Sequence, residues 1–169
     1  MNIRTINVLK ARAMERSFPS LSFLMPSNQF WNNSEVLIQT AIRNYTVSDY
    51  KQFFVELNFT DGYLMREDTG NLVNPLKPPN VEVHCLHGYG LNTAKSYIYK
   101  KGQWPDKQPE TIMGDGDRTV NIRSLKGCLP WEHLQKQPFY YKTFHLIGHI
   151  EILRCSVVIE YLREILIKR

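Results

Sequence analysis

Hydrophobic positions in the first half of the chain follow a helical spacing. Four apolar residues recur three or four positions apart, which would place them on one buried face of a helix: Tyr50, Phe53, Phe54 and Leu57. Thr46 or Ser48 would cap the start of this helix, and Asp61 followed by Gly62 would end it. The same pattern predicts a short strand at residues 36–40 and a second short helix at residues 63–67.

Hydrophobic and polar residues alternate in the second half, which is typical of strands. Residues 81–88 form a mostly apolar run that stops at a glycine, so we expect a buried strand that leads into a loop. Residues 96–100 would form one arm of a hairpin, with the Lys-Gly step after them as its turn. A strand is expected at residues 144–147, and a closing amphipathic helix at residues 150–166. This order of strands, loops and a helix predicts the α/β class.

The clearest break in the pattern lies between the two halves. Proline occurs at positions 75, 78 and 79, next to Asn74 and Asn80, and this composition interrupts both helices and strands. We therefore expect two regions, residues 1–75 and residues 80–169.

Composition and charge exclude several classes of protein. The chain has 169 residues, of which 43% are hydrophobic and 22% charged, as in an ordinary globular protein. Its net charge of +5 comes from scattered Lys and Arg, which favours a solvated basic surface, with attraction to anionic lipid surfaces as the functional alternative. No basic cluster is interleaved with aromatic residues, so nucleic acid is not an expected partner. No apolar run is long enough to span a membrane, and the first residues lack the apolar run of a signal peptide.

An acid in a glycine-rich stretch is the first candidate for chemistry. Asp117 lies in the sequence GDGDRTV at residues 114–120, and His149 follows later in the chain. An Asp and then a His are the last two members of the chain order Ser, Asp, His in α/β-hydrolases. Asp117 precedes the strand-like Thr119 and Val120, whereas Asp115 would organise the turn by binding backbone amides. No serine of the chain lies in a G-x-S-x-G setting.

Plainer interpretations of these residues stay open. The acid stretch would otherwise be a surface turn or a calcium loop, although it lacks the further oxygen ligands and closing Glu of an EF-hand. His149 would otherwise be a helix cap or a core histidine. Four more histidines are candidate bystanders: His84, His87, His133 and His145.

Cysteine and asparagine residues bear on whether the protein is secreted. Cys85, Cys128 and Cys155 leave one thiol over if a disulfide forms, and three buried thiols are the alternative. Their spacing fits no zinc site, and we predict neither a metal nor a cofactor. Three N-x-Ser/Thr sequons, which matter only in a secreted or lumenal protein, begin at Asn32, Asn44 and Asn58.

Several of these motifs, taken in order, resemble one family. The second half contains HCLHGYG at residues 84–90, GDGDRTVN at residues 114–121 and HIEIL at residues 149–153. Together with the run from Asn44 to Thr69, they resemble the C-terminal part of the lecithin:cholesterol acyltransferase family, most closely its lysosomal phospholipase A and ceramide-acylating branch. The resemblance covers nearly all of the chain.

The resemblance implies a fold, an activity and residue roles. It implies the C-terminal part of an α/β-hydrolase core at residues 80–169, with part of an α+β cap at residues 1–75. The activity would be acyl transfer from phospholipids at a membrane or lipoprotein surface to a lipid acceptor or water, in a lysosomal or secreted protein. Asp117 would be the triad acid and His149 the base. Cys85 and Cys128 would form a disulfide, and Asn44 would match a glycosylated sequon, which strengthens the same interpretation of Asn32 and Asn58.

The sequence also departs from the family pattern. Arg118 replaces the usual small residue after the acid, and its cation would compete with His149 for the carboxylate of Asp117. Cys155 would be a free thiol. The nucleophilic serine would belong to a preceding part of the family, so we expect this chain alone to be inactive. A sheet cut after its central strands would leave an unpaired edge and an uncovered apolar face, so we also expect poor solubility. The alternatives are a non-catalytic lipid-binding or partner-binding remnant, or an unrelated α/β domain.

Overall fold

The computed structural model of the protein describes residues 8–73 and 75–167, in two compact units. The first unit comprises the described residues within Met1–Leu37 and Arg43–Leu76, and the second comprises those within Ile38–Ile42 and Lys77–Arg169. The expected regions, residues 1–75 and 80–169, include residues 1–7, Asn74, Lys168 and Arg169, which lie outside the described residues. The identity of these regions as cap and hydrolase core stays a prediction.

The described residues form a mixture of short helices and strands. In chain order they are α1 (Val8–Glu15), α2 (Pro19–Phe23), β1 (Ile38–Gln39), β2 (Asn44–Tyr45), α3 (Tyr50–Glu56), α4 (Thr60–Thr69), β3 (Val83–Tyr89), β4 (Leu91–Ile98), β5 (Glu110–Gly116), α5 (Ile122–Leu125), α6 (Trp131–Leu134), β6 (Phe139–His145) and α7 (Ser156–Ile167). Two 3₁₀ turns, Lys126–Cys128 and Glu151–Arg154, accompany them. The chain is therefore of mixed α/β class, as the sequence predicts.

Helix α3 confirms the predicted helical face but not its cap. Phe54 is buried, and its ring meets the edge of the Phe53 ring at a centroid distance of 5.2 Å. Asp49, rather than Thr46 or Ser48, is the residue before the first turn. The amide and hydroxyl of Thr46 both donate to the Asp49 carboxylate, at 2.8 and 2.7 Å, so this side chain serves the preceding turn.

The predicted helix end at Asp61 and Gly62 is wrong. Both residues lie inside α4. The chain reverses earlier, at Asn58, whose φ of 50° lies in the left-handed region. Gly62 is needed for packing instead, because a Cβ there would lie 2.4 Å from the Phe54 ring and 2.7 Å from the Phe59 ring.

A hairpin and a parallel strand pair form the sheets of the second unit. Strand β4 pairs antiparallel with β5, from Leu91 opposite Gly116 to Ile98 opposite Glu110, and parallel with β1 on its other edge. Strand β3 pairs parallel with β6 over its whole length. The predicted strands are thus present, but β4 and β6 start earlier than residues 96 and 144. The hairpin connection spans residues 99–109 instead of a tight Lys-Gly turn.

The closing helix is shorter than its periodicity predicts. Residues 151–154 form a 3₁₀ turn, and Cys155, with an extended backbone, separates this turn from α7. The helix contacts the β3–β6 pair through Tyr161, whose hydroxyl lies 2.7 Å from Nδ1 of His84. None of the helices in the described residues has the length and apolar character that a membrane crossing requires.

Candidate active site

The loop after β5 holds Asp117 in a buried position. Asp117 follows the last residue of the strand, and its amide donates to the carbonyl of Val120 at 3.2 Å, which closes a tight turn. Thr119 and Val120 belong to this turn, so the expectation that they begin a strand is wrong. The side chain of Asp117 is only 4% exposed.

Three hydrogen bonds satisfy the Asp117 carboxylate. Oδ1 accepts from the backbone amides of Val120 at 2.7 Å and Thr119 at 3.1 Å, and Oδ2 lies 2.8 Å from Nδ1 of His149. Burial by itself would raise the pKa of Asp117, but the hydrogen bonds from Val120, His149 and Thr119 outweigh it and lower that pKa. The carboxylate is therefore the charged partner of the histidine.

The loop after β6 carries His149 to this carboxylate. The backbone amide of His149 donates to the carbonyl of Asp117 at 2.9 Å, so main chain and side chain join the same two residues. A carboxylate can only accept, so Nδ1 of the histidine carries a proton and Nε2 of the neutral ring is an acceptor. Within the described part of the chain Nε2 has no hydrogen-bond partner, and the side chain is 43% exposed.

Thr93 of β4 is hydrogen-bonded to the acid loop, a role that the sequence did not indicate. Its hydroxyl donates to the carbonyl of Leu91 and accepts the amide of Arg118, both at 2.9 Å, and the residue is 1% exposed. A Cβ on Gly116 would lie 2.6 Å from this hydroxyl. A threonine in an alternating strand carries no sequence signal for such a role, because its partner is distant in sequence.

The neighbours of Asp117 in the acid stretch have other partners. Asp115 lies within β5, and its carboxylate accepts the amide of Gly90 at 2.7 Å instead of organising its own turn. Arg118 has a φ of 78°, and its guanidinium lies 3.5 Å from the carboxylate of Glu151. The expected competition between Arg118 and His149 for Asp117 is therefore wrong, because the arginine is paired elsewhere.

The cysteines and sequons occupy separate places. A disulfide joins Cys85 to Cys128, and Cys155 is a free thiol. The three sequon asparagines are all exposed on the first unit: Asn32, Asn44 and Asn58. Among the described residues, no group of three His, Cys, Asp or Glu side chains could hold a metal ion.

The other histidines lie apart from the Asp117 carboxylate. His87 is buried, with Nε2 2.7 Å from the hydroxyl of Tyr141. His84 lies between Tyr161 and Glu82, and His145 packs against Tyr89. His133 is a largely exposed residue of α6. Among the five histidines, all of them in the described part of the chain, only His149 contacts the Asp117 carboxylate.

Fold and site together describe a mixed α/β protein with a hydrogen-bonded histidine–aspartate pair between two strand-end loops. Comparison with known families shows to which family the chain is related. The lecithin:cholesterol acyltransferase family model matches residues 1–154, and the chain belongs to this family.

Individual relatives support the same family membership, and each is matched over only part of its own length. Lysosomal phospholipase A and acyltransferase of Rattus norvegicus is 39% identical over 166 residues, which are 98% of this chain and 40% of the relative. Phosphatidylcholine-sterol acyltransferase of Homo sapiens is 33% identical over 166 residues, covering 98% of this chain and 38% of the relative. The chain therefore spans about two fifths of the length of these relatives.

Proposed function

We propose that this chain supplies the acid and base of a lipid acyltransferase or phospholipase. The observation that carries the proposal is the buried Asp117 carboxylate hydrogen-bonded to Nδ1 of the half-exposed His149. Asp117 holds the ring in the tautomer with Nε2 unprotonated and stabilises the imidazolium that forms in the reaction. Membership of the lecithin:cholesterol acyltransferase family supports the assignment.

In the proposed reaction His149 moves one proton in each half. A serine Oγ attacks the acyl carbonyl carbon of a phospholipid while Nε2 takes the serine proton. Collapse of the tetrahedral intermediate breaks the ester bond, and the imidazolium gives its proton to the departing lysophospholipid oxygen. The hydroxyl of a lipid acceptor or of water then gives its proton to Nε2, attacks the acyl-enzyme, and the serine recovers a proton from the ring.

The nucleophile of this scheme lies outside the 169 residues. None of their serines has the G-x-S-x-G setting that exposes the hydroxyl at a sharp strand-to-helix turn. We therefore assign to this chain the C-terminal part of an α/β-hydrolase core and part of its cap, which agrees with its share of the relatives' length. The serine comes from a polypeptide that includes the corresponding remainder.

Substrate class and location follow from the same family assignment. The relatives' names refer to phospholipase A, acyltransferase and phosphatidylcholine-sterol acyltransferase activity. We propose phospholipid acyl esters at a membrane or lipoprotein surface as donors, and a lysosomal or secreted glycoprotein modified at the exposed sequons. Exposed apolar side chains on both sides of His149, at Leu146, Ile150 and Leu153, support a lipid substrate.

The test measures the release of fatty acid from phosphatidylcholine vesicles by the longest polypeptide that contains these residues. Asp117→Asn should lower kcat by about four orders of magnitude, because an amide holds the wrong histidine tautomer. His149→Gln should lose at least as much. His133→Gln is the matched control, since that histidine is largely exposed on α6, and its activity should be unchanged. Equal activity in all three variants would refute the proposal.

A second candidate is a non-catalytic lipid-binding or partner-binding protein of the same family. The observation that favours it is the lack of a serine in a G-x-S-x-G setting. A fluorophosphonate probe, which labels activated serines, separates the two candidates. Labelling of a serine in the longer polypeptide, lost in His149→Gln, supports catalysis. Vesicle binding without labelling in any polypeptide that contains these residues supports the second candidate.

A further inference from the structure

The residue after Asp117 presents a cation beside the histidine loop. The backbone of Arg118 is fixed by the bond from its amide to the buried hydroxyl of Thr93, although its φ of 78° is one that favours glycine. Its side chain is 64% exposed. A long charged side chain thus stands at a position where glycine would be the least strained residue.

Glu151 ties this cation to the segment that contains His149. Its carboxylate lies 3.5 Å from the Arg118 guanidinium. The same carboxylate also lies close to the main chain at Gly148, where an added Cβ would be 2.0 Å from Oε2. Gly148 directly precedes His149, so the guanidinium is held next to the histidine loop.

The pair leaves the guanidinium able to bind an anion. A guanidinium has five N–H donors, and within the described residues the Arg118 guanidinium pairs with one side chain only, the carboxylate of Glu151. Both members of the pair are exposed, and exposed pairs are weak because water screens them. Asp117 does not draw the cation inward, since its oxygens are occupied by amides and by His149.

We propose that Arg118 is a specificity-determining residue that binds the phosphodiester of a lipid whose acyl ester lies at His149. This inference rests on the proposed function for the nature of the ester. The planar guanidinium forms two parallel hydrogen bonds to phosphate oxygens, which a lysine ammonium does not reproduce. Glu151 competes with the phosphodiester for the same donors and so sets how tightly that group is bound.

Binding is tested on the same polypeptide as the activity assay, with a readout that does not depend on turnover. The probe is short-chain dihexanoyl phosphatidylglycerol below its critical micelle concentration, titrated while the NMR signals of the Arg118 side chain and His149 ring are followed. Saturable shifts of both signals are expected. Arg118→Gln should weaken binding about tenfold, as loss of a charge-assisted contact would. Arg118→Lys should lie between the two.

Glu151→Gln distinguishes a ligand-binding arginine from a structural ion pair. If Arg118 binds the phosphodiester, removing its competitor should tighten binding several-fold, opposite in sign to Arg118→Gln. If the pair only holds the two loops together, both variants should weaken binding. Arg154→Gln is the charge-matched control, because Arg154 is an exposed residue of the same unit and its loss should change binding less than twofold.

Three results would overturn the proposal. They are equal weakening by Arg118→Gln and Arg154→Gln, saturation by inorganic phosphate at the same concentration as the lipid, and weakening by Glu151→Gln. Arg118→Gly, which suits the left-handed backbone, guards against loss of folding and should behave like Arg118→Gln. Failure here would leave the Asp117 and His149 assignment intact, since that is tested by kcat in the separate assay above.

Discussion

Asp117 and His149 are joined twice, through their side chains and through their main chains. Oδ2 of Asp117 lies 2.8 Å from Nδ1 of His149, and the Asp117 carbonyl accepts the His149 amide at 2.9 Å. The backbone bond fixes the position of His149 against the acid loop, and the side-chain bond fixes the ring tautomer. A shift of either loop would therefore disturb both bonds together, so the two loops form one hydrogen-bonded loop pair.

The stability of this hydrogen-bonded loop pair should depend on pH through Asp117. Its pKa is lowered from the usual 3.8, so its charged form stabilises the fold above pH 3.8, and this contribution is lost as the pH falls through the lowered value. Asp117→Asn should be less stable than the original protein at pH 7, and the difference should shrink towards pH 2.

Urea unfolding between pH 7 and pH 2, followed by amide signals of β5, measures this difference. Asp68→Asn is the control, because Asp68 is exposed on α4, and its effect should stay small throughout. A pH-independent effect of Asp117→Asn would contradict the expectation.

The disulfide should make a large contribution to the stability of the second unit. Cys85 and Cys128 are 43 residues apart, and in the chain-entropy model closing such a loop contributes about 4 kcal/mol at most. Reduction, or the double variant Cys85→Ala with Cys128→Ala, should lower the melting temperature clearly.

Thiol counting provides the accompanying check. The oxidised, unfolded protein should show one reactive thiol, from Cys155, and the reduced protein three. Cys155→Ala should keep the melting temperature drop on reduction. An unchanged melting temperature after full reduction would show that the bond does not restrain this unit.

Gly116 should be the least replaceable residue of the acid stretch. A Cβ there would lie 2.3 Å from the carbonyl of Val120 and 2.6 Å from the Thr93 hydroxyl, so Gly116→Ala must displace the turn that binds the Asp117 carboxylate. We expect a loss of about 1–3 kcal/mol in unfolding free energy and a change in the Nδ1–H proton signal of His149.

Gly114→Ala is the matched control in the same strand. Its Cβ would meet the nearest atoms of Asn121 and Lys95 only at 3.4 Å, so the His149 signal should stay in place. Equal effects of the two alanines would mean that Gly116 is not positioned by close packing.

Arg66 should hold the first unit together. Its guanidinium donates to the carbonyls of Ser22, Phe23 and Pro26 at 3.0 to 3.3 Å, and it lies over the Tyr50 ring. Arg66→Ala leaves these carbonyls without their charged donor, and we expect a loss of about 1–3 kcal/mol.

Hydrogen exchange of the α2 amides reports this loss locally. Protection should fall in Arg66→Ala and only partly in Arg66→Lys, which keeps the charge but loses the fork. Lys51→Ala, an exposed change on α3, should leave the exchange rates unchanged. Unaltered α2 protection in Arg66→Ala would exclude this role.

Much of the fold could be predicted because its signals are local. The apolar face of α3, the β4 arm of the hairpin and the strand β3 all follow from spacing within a few residues. Their ends were less predictable. Cys155 interrupts the last helix although the apolar pattern continues through it, and Gly62 serves packing instead of a turn, since both outcomes depend on neighbours elsewhere in the fold.

By itself the sequence determined the α/β class, the family resemblance and Asp117 and His149 as candidates. Only the tertiary structure decided which atoms meet: Nδ1 of His149 with Asp117, Arg118 with Glu151 and the Thr93 hydroxyl with the acid loop. The physical reason is that helices and strands arise from short-range backbone geometry and burial. The partner of a polar side chain is set by segments that are remote in sequence and adjacent only after folding.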